Sequence, residues 1–149
     1  MIIEFNGIWP GGCPRVSLCD AQIDRISFSN EAIRFHFPNG FRVEDGDAVV
    51  ATKASYVEFY NCTAEDFFCT IVKRWPTKDG ALQYGKPLSL VELGNMLGQK
   101  KKGLEVFLEL YDWNYLFWRG SLCPRKKRGL SDWVVLELSD CFPIRFCWE

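Results

Sequence analysis

The sequence has few of the residues on which metal binding and acid–base catalysis depend. It contains a single histidine, His36, and its seven cysteines form no C-x-x-C pair. Zinc sites usually draw their ligands in closely spaced pairs, because one turn can then present two of them. Cysteines of odd number and irregular spacing are instead typical of free thiols packed as small hydrophobes in a reducing compartment. We therefore expect no disulfide, no metal and no cofactor.

The common catalytic motifs are also missing. The chain contains no G-x-S-x-G, P-loop, H-E-x-x-H or G-x-G-x-x-G sequence. His36 has the chemistry to activate Cys62 or Cys69 as a nucleophile, but no nucleophile motif surrounds either thiol. The sequence therefore favours a non-enzymatic protein over an enzyme.

Neither a long apolar run nor an excess of one charge is present. No window approaches the ~20 apolar residues of a membrane helix. The N-terminal apolar run contains Glu4 and no basic residue, unlike a signal peptide. The formal net charge is −1, whereas general binders of nucleic acid or membrane surfaces usually carry a basic excess. We expect a cytoplasmic protein that has specific partners and no membrane contact.

Two short basic runs, residues 100–102 and 125–128, stand out against this balance. In a nucleic-acid-binding protein they would contact phosphate, with Trp113 and Trp118 as stacking platforms. In the alternative interpretation they are solvated loop tips that keep strand edges soluble. The slight overall acidity, 19 Asp and Glu against 18 Lys and Arg, favours the second interpretation and argues against a nucleic-acid partner.

Apolar and aromatic side chains, by contrast, are abundant. Hydrophobic residues make up 48% of the 149 residues and aromatic residues 15%. A chain of about 150 residues buries roughly 70% of its unfolded surface, so this composition supplies a core without a disulfide or a metal to stabilise it. We predict a single β-rich domain over residues 1–149.

Large apolar side chains recur at every second position along most of the chain, as in residues 32–37, 104–111 and 133–138. This period is typical of strands that bury one face, and turn signals separate the segments. Short connections between such strands favour antiparallel neighbours. The expected fold is a β-dominated α+β domain with antiparallel meander sheets of about nine or ten strands and one covering helix.

The helix is predicted to begin at Ser89. Ser89 and Glu92 have the spacing of a capping box, in which each side chain satisfies a backbone amide of the first turn. The apolar stripe that follows, Leu90, Leu93 and Leu97, is broad enough to pack against a sheet.

The C-terminal third is predicted to form a meander with two different faces. The first face is interior and consists of Val106, Leu108, Leu110, Val134, Leu136 and Leu138. The second mixes aromatic rings with carboxylates and consists of Glu105, Phe107, Glu109, Tyr111, Trp133, Val135 and Glu137. Rigid rings among charged groups are typical of binding surfaces.

Two alternatives follow for the second face. If the helix covers the first face, the second is exposed and binds a partner through Glu105, Phe107, Glu109, Tyr111, Trp133 and Glu137. If a second sheet or loop instead covers the second face, the domain is a sandwich and these side chains are core.

Three stretches, residues 18–26 (LCDAQIDRI), 56–66 (YVEFYNCTAED) and 116–120 (LFWRG), carry a likeness to known proteins. In size, strand rhythm and acidic loops the chain resembles small bacterial β-rich proteins, including the immunity proteins of toxin systems. The resemblance implies a cytoplasmic protein that binds and blocks a cognate toxin domain. It transfers no catalytic or binding residue. The weak acidity of this chain departs from the pattern expected for an inhibitor of a strongly basic nuclease.

We therefore predict a non-enzymatic protein-binding module, with inhibition of a bacterial toxin as its specific form. The alternative is a small-ligand-binding β-barrel or sandwich, because aromatic-lined β cavities make good apolar pockets. The direction of the aromatic side chains distinguishes the two: outward for a partner surface, inward around a cavity for a ligand.

Overall fold

The computed structural model of the chain describes residues 1–99, 101–124 and 130–149. Within these ranges antiparallel strands dominate and one α-helix is present, which confirms the predicted fold class. The elements in chain order are β1 Ile2–Phe5, β2 Arg15–Ser17, β3 Gln22–Ile23, β4 Arg25–Phe28, β5 Ile33–Phe37, β6 Arg42–Asp45, β7 Ala48–Ala51, β8 Ser55–Phe59, a 3-10 turn Ala64–Asp66, β9 Phe68–Thr77, β10 Gly80–Leu88, α1 Leu90–Gln99, β11 Gly103–Asp112, β12 Tyr115–Cys123, β13 Trp133–Ser139 and β14 Ile144–Cys147.

The strands form three antiparallel sheets. The front sheet has the order β10-β9-β13-β12-β11-β3, and the back sheet has the order β1-β14-β8-β5-β4. A small side sheet has the order β2-β6-β7. The predicted C-terminal meander is thus present as β11-β12-β13 and is extended by the β9–β10 hairpin.

The front and back sheets pack face to face around an aromatic core. Trp118 of β12 lies with its ring centroid 5.4 Å from that of Phe35 and 5.7 Å from that of Phe59, both in the back sheet. Phe5 of β1 contacts Tyr111 of β11 at 4.8 Å in an edge-on geometry. Edge-on pairs of this spacing add to the free energy of burial. The back sheet, not the helix, therefore covers the inner face of the front sheet.

The helix lies beside β4 at one margin of the sandwich. It begins after Ser89, whose Oγ accepts a hydrogen bond of 3.0 Å from the Glu92 amide, so the serine half of the predicted capping box is present. Leu90, Leu93 and Leu97 are buried as the stripe predicts. The alternative in which this helix covers the first face of the C-terminal strands does not hold, because the back sheet occupies that face.

The structure has more strands than the sequence predicts, for local reasons. β2 and β3 are too short to show a period. β7 and β8 are separated by a turn, in which Thr52 Oγ1 accepts a hydrogen bond from the Phe41 amide and contacts Ser55 Oγ at 2.8 Å. β10 contains Pro87, which is tolerated because β10 is an edge strand.

The structure also differs from the expectation for β14. This strand does not continue the meander but pairs with β1 and β8 in the back sheet. The preceding connection includes Asp140 in a left-handed conformation with φ 54°. The Asp140 amide donates a 2.8 Å hydrogen bond to the carbonyl of Asn114, in the turn between β11 and β12. The chain therefore crosses between sheets here rather than folding back as a hairpin.

Leu93 tests the packing of the helix. Its side chain is fully buried, so Leu93→Ala should lower the free energy of unfolding by about 2–5 kcal/mol, the usual loss for a buried leucine. Val91 on the same helix is 48% exposed, and Val91→Ala should change stability by no more than about 0.5 kcal/mol. Urea melts of both variants measure the difference. Equal effects would contradict the observed orientation of the helix.

Candidate functional site

A β-bulge in β11 determines which side chains of the front sheet face outward. Val106 pairs with Gly120 of β12, but the next pair is Leu108 with Arg119. Phe107 is the extra residue between them. Because successive side chains of a strand alternate between its faces, one inserted residue reverses the orientation of all that follow.

The sequence-based assignment of one face to the whole of β11 is therefore wrong beyond Val106. Glu105 and Phe107 lie on the outer face, as predicted, together with Trp133 and Glu137 of β13. Glu109 and Tyr111 point to the interior, opposite Trp118 and Leu116 of β12. Leu108 and Leu110, predicted to be core, are turned outward, and Leu110 is 54% exposed.

Glu109 and Tyr111 form a half-buried, inward-facing polar network instead of a binding surface. The Leu18 amide donates a 2.6 Å hydrogen bond to Glu109 Oε2, and the Tyr111 hydroxyl donates one of 3.0 Å to Oε1. Trp118 Nε1 in turn donates to the Tyr111 hydroxyl at 3.2 Å. Burial raises the pKa of Glu109 above its ordinary value, and burial followed by the nearby Glu109 raises the pKa of Tyr111. These residues serve the fold.

The outer face of the front sheet is rich in aromatic and aliphatic side chains. We call it the aromatic face and define it as Phe68, Val72, Arg74, Glu105, Phe107, Leu108, Leu110, Phe117, Arg119, Trp133, Val135 and Glu137. Phe68 at its margin is 74% exposed. Alternation along β9, β12 and β13 brings all of these side chains to one side, and the bulge adds Leu108 and Leu110 to them.

Two arginines and two rings form the centre of the aromatic face. The rings of Phe107 and Trp133 lie 5.6 Å apart. The Arg74 guanidinium stands 3.6 Å from the Trp133 ring centroid, and the Arg119 guanidinium lies 5.4 Å from the same ring. Arg119 is also 5.5 Å from the ring of Phe117. Such cation–π contacts hold both the rings and the guanidinium groups in place.

A shallow cleft opens beside this centre. It has a volume of about 410 Å³ and is lined by Arg74, Glu105, Phe107, Ser121, Leu130, Ser131 and Trp133. At the other end of the face, the Tyr115 hydroxyl donates a 2.6 Å hydrogen bond to Glu137. This bond raises the pKa of Tyr115 to about 12. The cleft and the rings around it combine apolar surface with charged groups.

The outer face of the back sheet has a different character. Arg34 Nε lies 2.7 Å from Glu58, and Arg145 bridges Glu58 at 3.3 Å and Glu4 at 3.1 Å. The hydroxyl of Tyr60 donates to Glu4 at 3.1 Å, and Arg145 stacks on the Tyr60 ring. Each of these four charged side chains, Arg34, Arg145, Glu4 and Glu58, thus has an opposite charge next to it.

His36 lies on this same back face and contacts a serine. Its Nε2 is 2.7 Å from Ser27 Oγ, and Arg25 donates to Nδ1 at 3.3 Å. Because an arginine only donates, the neutral ring carries its proton on Nε2 and donates it to the serine. Burial, followed by the charge of Arg25, lowers the pKa of His36. A general base must instead accept the serine proton at that nitrogen, so the pair is not set up as a nucleophile and base.

The cysteines are free thiols in this structure, and several are buried. Burial raises the pKa of Cys62 and of Cys69 to about 12 and that of Cys141 to about 11. These thiols stay protonated at neutral pH, whereas nucleophilic cysteines need a lowered pKa. His36 contacts Ser27 and Arg25 rather than Cys62 or Cys69, the two thiols considered from the sequence.

The stacking residues considered for a nucleic-acid surface are not placed together. Trp118 is buried, with 1% of its surface exposed, so it cannot stack on a base. Trp113 lies in the turn between β11 and β12 and is 75% exposed. The basic run at 125–128 and residue 100 of the other run lie outside the described residues.

Comparisons of the chain with models of protein families, with curated proteins and with solved structures find no match. No helix of the described residues is long and apolar enough to cross a bilayer. In the part of the chain that the structure describes, no group of three or more His, Cys, Asp or Glu side chains is arranged to hold a metal ion.

The buried carboxyl of Glu109 predicts a specific pH dependence of stability. The folded state raises the pKa of this carboxyl above its ordinary value of 4.5. Protonation of Glu109 therefore stabilises the folded state. This stabilisation is fully present below pH 4.5 and is lost as the pH rises through the folded pKa. Relative to Glu109→Gln, the wild-type free energy of unfolding should therefore increase as the pH falls from 7 toward 4. Other carboxyl groups titrate in both proteins and cancel. Urea melts across this range measure the difference, and a flat difference would refute the assignment.

Proposed function

We propose that the chain is a non-enzymatic protein-binding module that docks its partner on the aromatic face. One observation carries this proposal: the contrast between the two outer faces of the sandwich. The back face neutralises its own charges through Arg34, Arg145, Glu4 and Glu58. The aromatic face exposes apolar and aromatic side chains, which monomeric proteins rarely gather into one large patch without a binding role.

The chemistry of the aromatic face is that of an interface centre. Tryptophan and arginine are the residue types that most often dominate binding energy at interfaces. Here Trp133 is held between Phe107 and the Arg74 guanidinium. Because these contacts already restrict the side chains, less conformational entropy is lost when a partner docks. The bulge at Phe107 contributes by turning Leu108 and Leu110 to the same face.

The partner class that we propose is a cognate bacterial toxin domain, which makes the chain an immunity protein. Support comes from the likeness in size, strand rhythm and acidic loops described above. The aromatic face is compatible with this role, since an inhibitor needs a preformed surface that excludes water from a partner.

The interior favours protein binding over the small-ligand alternative. A ligand-binding sandwich would leave a cavity between its sheets. In this chain the inward-facing rings contact one another instead: Phe35 lies 5.4 Å from Phe59, and Phe59 lies 5.2 Å from Phe67. Trp118 fills the space between them and the front sheet.

Alanine variants of the two faces of β11 test the proposal. Phe107→Ala and Trp133→Ala should each change the free energy of unfolding by about 1 kcal/mol or less. Each should weaken partner binding by about 2 kcal/mol, or roughly thirty-fold. Tyr111→Ala should instead cost about 3–5 kcal/mol of stability, because it removes an inward-facing aromatic ring. Candidate toxin domains and proteins retained on the immobilised chain supply the partner, and calorimetric titration gives the affinities.

Trp113→Ala is the matched control, because this tryptophan is exposed but lies outside the aromatic face. It should leave both stability and binding unchanged. The proposal fails if partner binding is insensitive to Phe107→Ala and Trp133→Ala. It also fails if Phe107→Ala destabilises the protein as strongly as Tyr111→Ala does.

A further inference from the structure

We infer that the partner presents a carboxylate, from an Asp or Glu flanked by apolar side chains, which binds Arg119 at the centre of the aromatic face. This inference rests on the proposed function and specifies the chemistry of its partner. It depends on the surroundings of one guanidinium group.

Arg119 lies in the middle of the aromatic face. It is a residue of β12 and stands between Leu108 of β11 and Val135 of β13. No ion pair within residues 1–99, 101–124 and 130–149 includes it. Its Nε is buried and has no hydrogen-bond partner. Among the described residues, its guanidinium contacts the faces of Phe117 and Trp133.

Two arginines of the back face, in contrast, have a carboxylate within ion-pair distance. Arg34 and Arg145 each contact Glu58. On the aromatic face, Glu137 accepts the hydroxyl proton of Tyr115 at 2.6 Å and makes no ion pair among the described side chains. Glu105 pairs in register with Ser121 rather than with Arg119. Among the described residues, neither glutamate comes within ion-pair distance of Arg119.

A docked partner would change the solvation of this guanidinium. In the free protein, water reaches the N–H groups that are not buried. A partner that covers the face removes that water, and a charge left without an acceptor opposes binding. The aromatic rings contact the flat side of the guanidinium, so its in-plane donors still need acceptors. A carboxylate matches their geometry with two parallel hydrogen bonds.

The charge balance limits the partner to a local carboxylate. Arg74 and Arg119 are offset in number by Glu105 and Glu137, so the face as a whole does not attract a strongly acidic surface. The surrounding side chains are Phe107, Leu108, Phe117, Trp133 and Val135. A segment that fits both properties carries one acidic residue between apolar ones.

Selection from a random heptapeptide library displayed on phage tests this inference with the full-length chain as bait. Peptides that bind should be enriched in Asp or Glu next to apolar residues. Labelled synthetic copies of the selected peptides are then titrated by fluorescence anisotropy. Replacing the acidic residue by Gln or Asn should weaken binding to the wild-type protein by about tenfold or more. This arm needs no change to the protein, so it does not depend on how any variant folds.

Variants of Arg119, combined with the acidic and amide peptides, complete a double-mutant cycle. Arg119→Gln should weaken binding of the acidic peptides by about tenfold and should make the acidic and amide peptides bind alike. Arg119→Lys should retain part of the affinity, because it keeps the charge but loses the planar pair of donors. Arg15→Gln is the control, since Arg15 is exposed in β2 of the side sheet. It should have no effect.

The outcomes separate this inference from the proposed function. Peptides that lose binding to Phe107→Ala and Trp133→Ala, but show no acidic enrichment and tolerate Arg119→Gln, would overturn the carboxylate inference and leave the docking surface standing. Selected peptides that are indifferent to all three variants, or a library that yields no binder to the wild-type chain, would count against both.

Discussion

The arrangement of the front sheet depends on the β-bulge at Phe107, which exchanges the two faces of strand β11 for all residues after it. A hydrogen bond from the Leu18 amide to Glu109 accompanies this exchange. The bond is 2.6 Å long and joins residues that are 91 positions apart. Glu109 can reach Leu18 only because the extra residue, Phe107, has turned the following side chains around. The same reversal sends Leu108 and Leu110 to the outer face. One inserted residue thus supplies an interior polar network and enlarges the exterior apolar surface.

The two outer faces of the sandwich show how this surface differs from an ordinary solvated one. On the back face, Arg34 and Arg145 each have a glutamate within ion-pair distance. On the aromatic face, the guanidinium groups of Arg74 and Arg119 lie against aromatic rings. Exposed ion pairs contribute little to stability but remove the need for other partners. Rings and guanidinium groups at a water-accessible face are, in contrast, the components that contribute most to affinity at protein interfaces.

The sequence predicts those parts of the fold that depend on neighbouring residues. The helix follows from Ser89, Glu92 and the leucine stripe, all within a few turns, and the alternation of β13 from Trp133 onward is correct because no bulge interrupts it. The orientation of Glu109 and Tyr111 could not be predicted, because the bulge is compensated by Leu18, which is distant along the chain. The back sheet that covers Trp118 likewise combines strands from both ends of the chain. The local periodicity of the sequence therefore does not predict it.

The register of β11 against β12 is the most direct test of this account. The chain is small enough for nuclear magnetic resonance, and cross-strand nuclear Overhauser contacts in a uniformly labelled sample report which residues face each other. The account predicts contacts of Leu108 with Arg119 and of Glu109 with Trp118, together with a contact between the Glu109 side chain and the Leu18 amide. Contacts of Leu108 with Trp118 and of Glu109 with Phe117 would show an unbroken ladder and would contradict it.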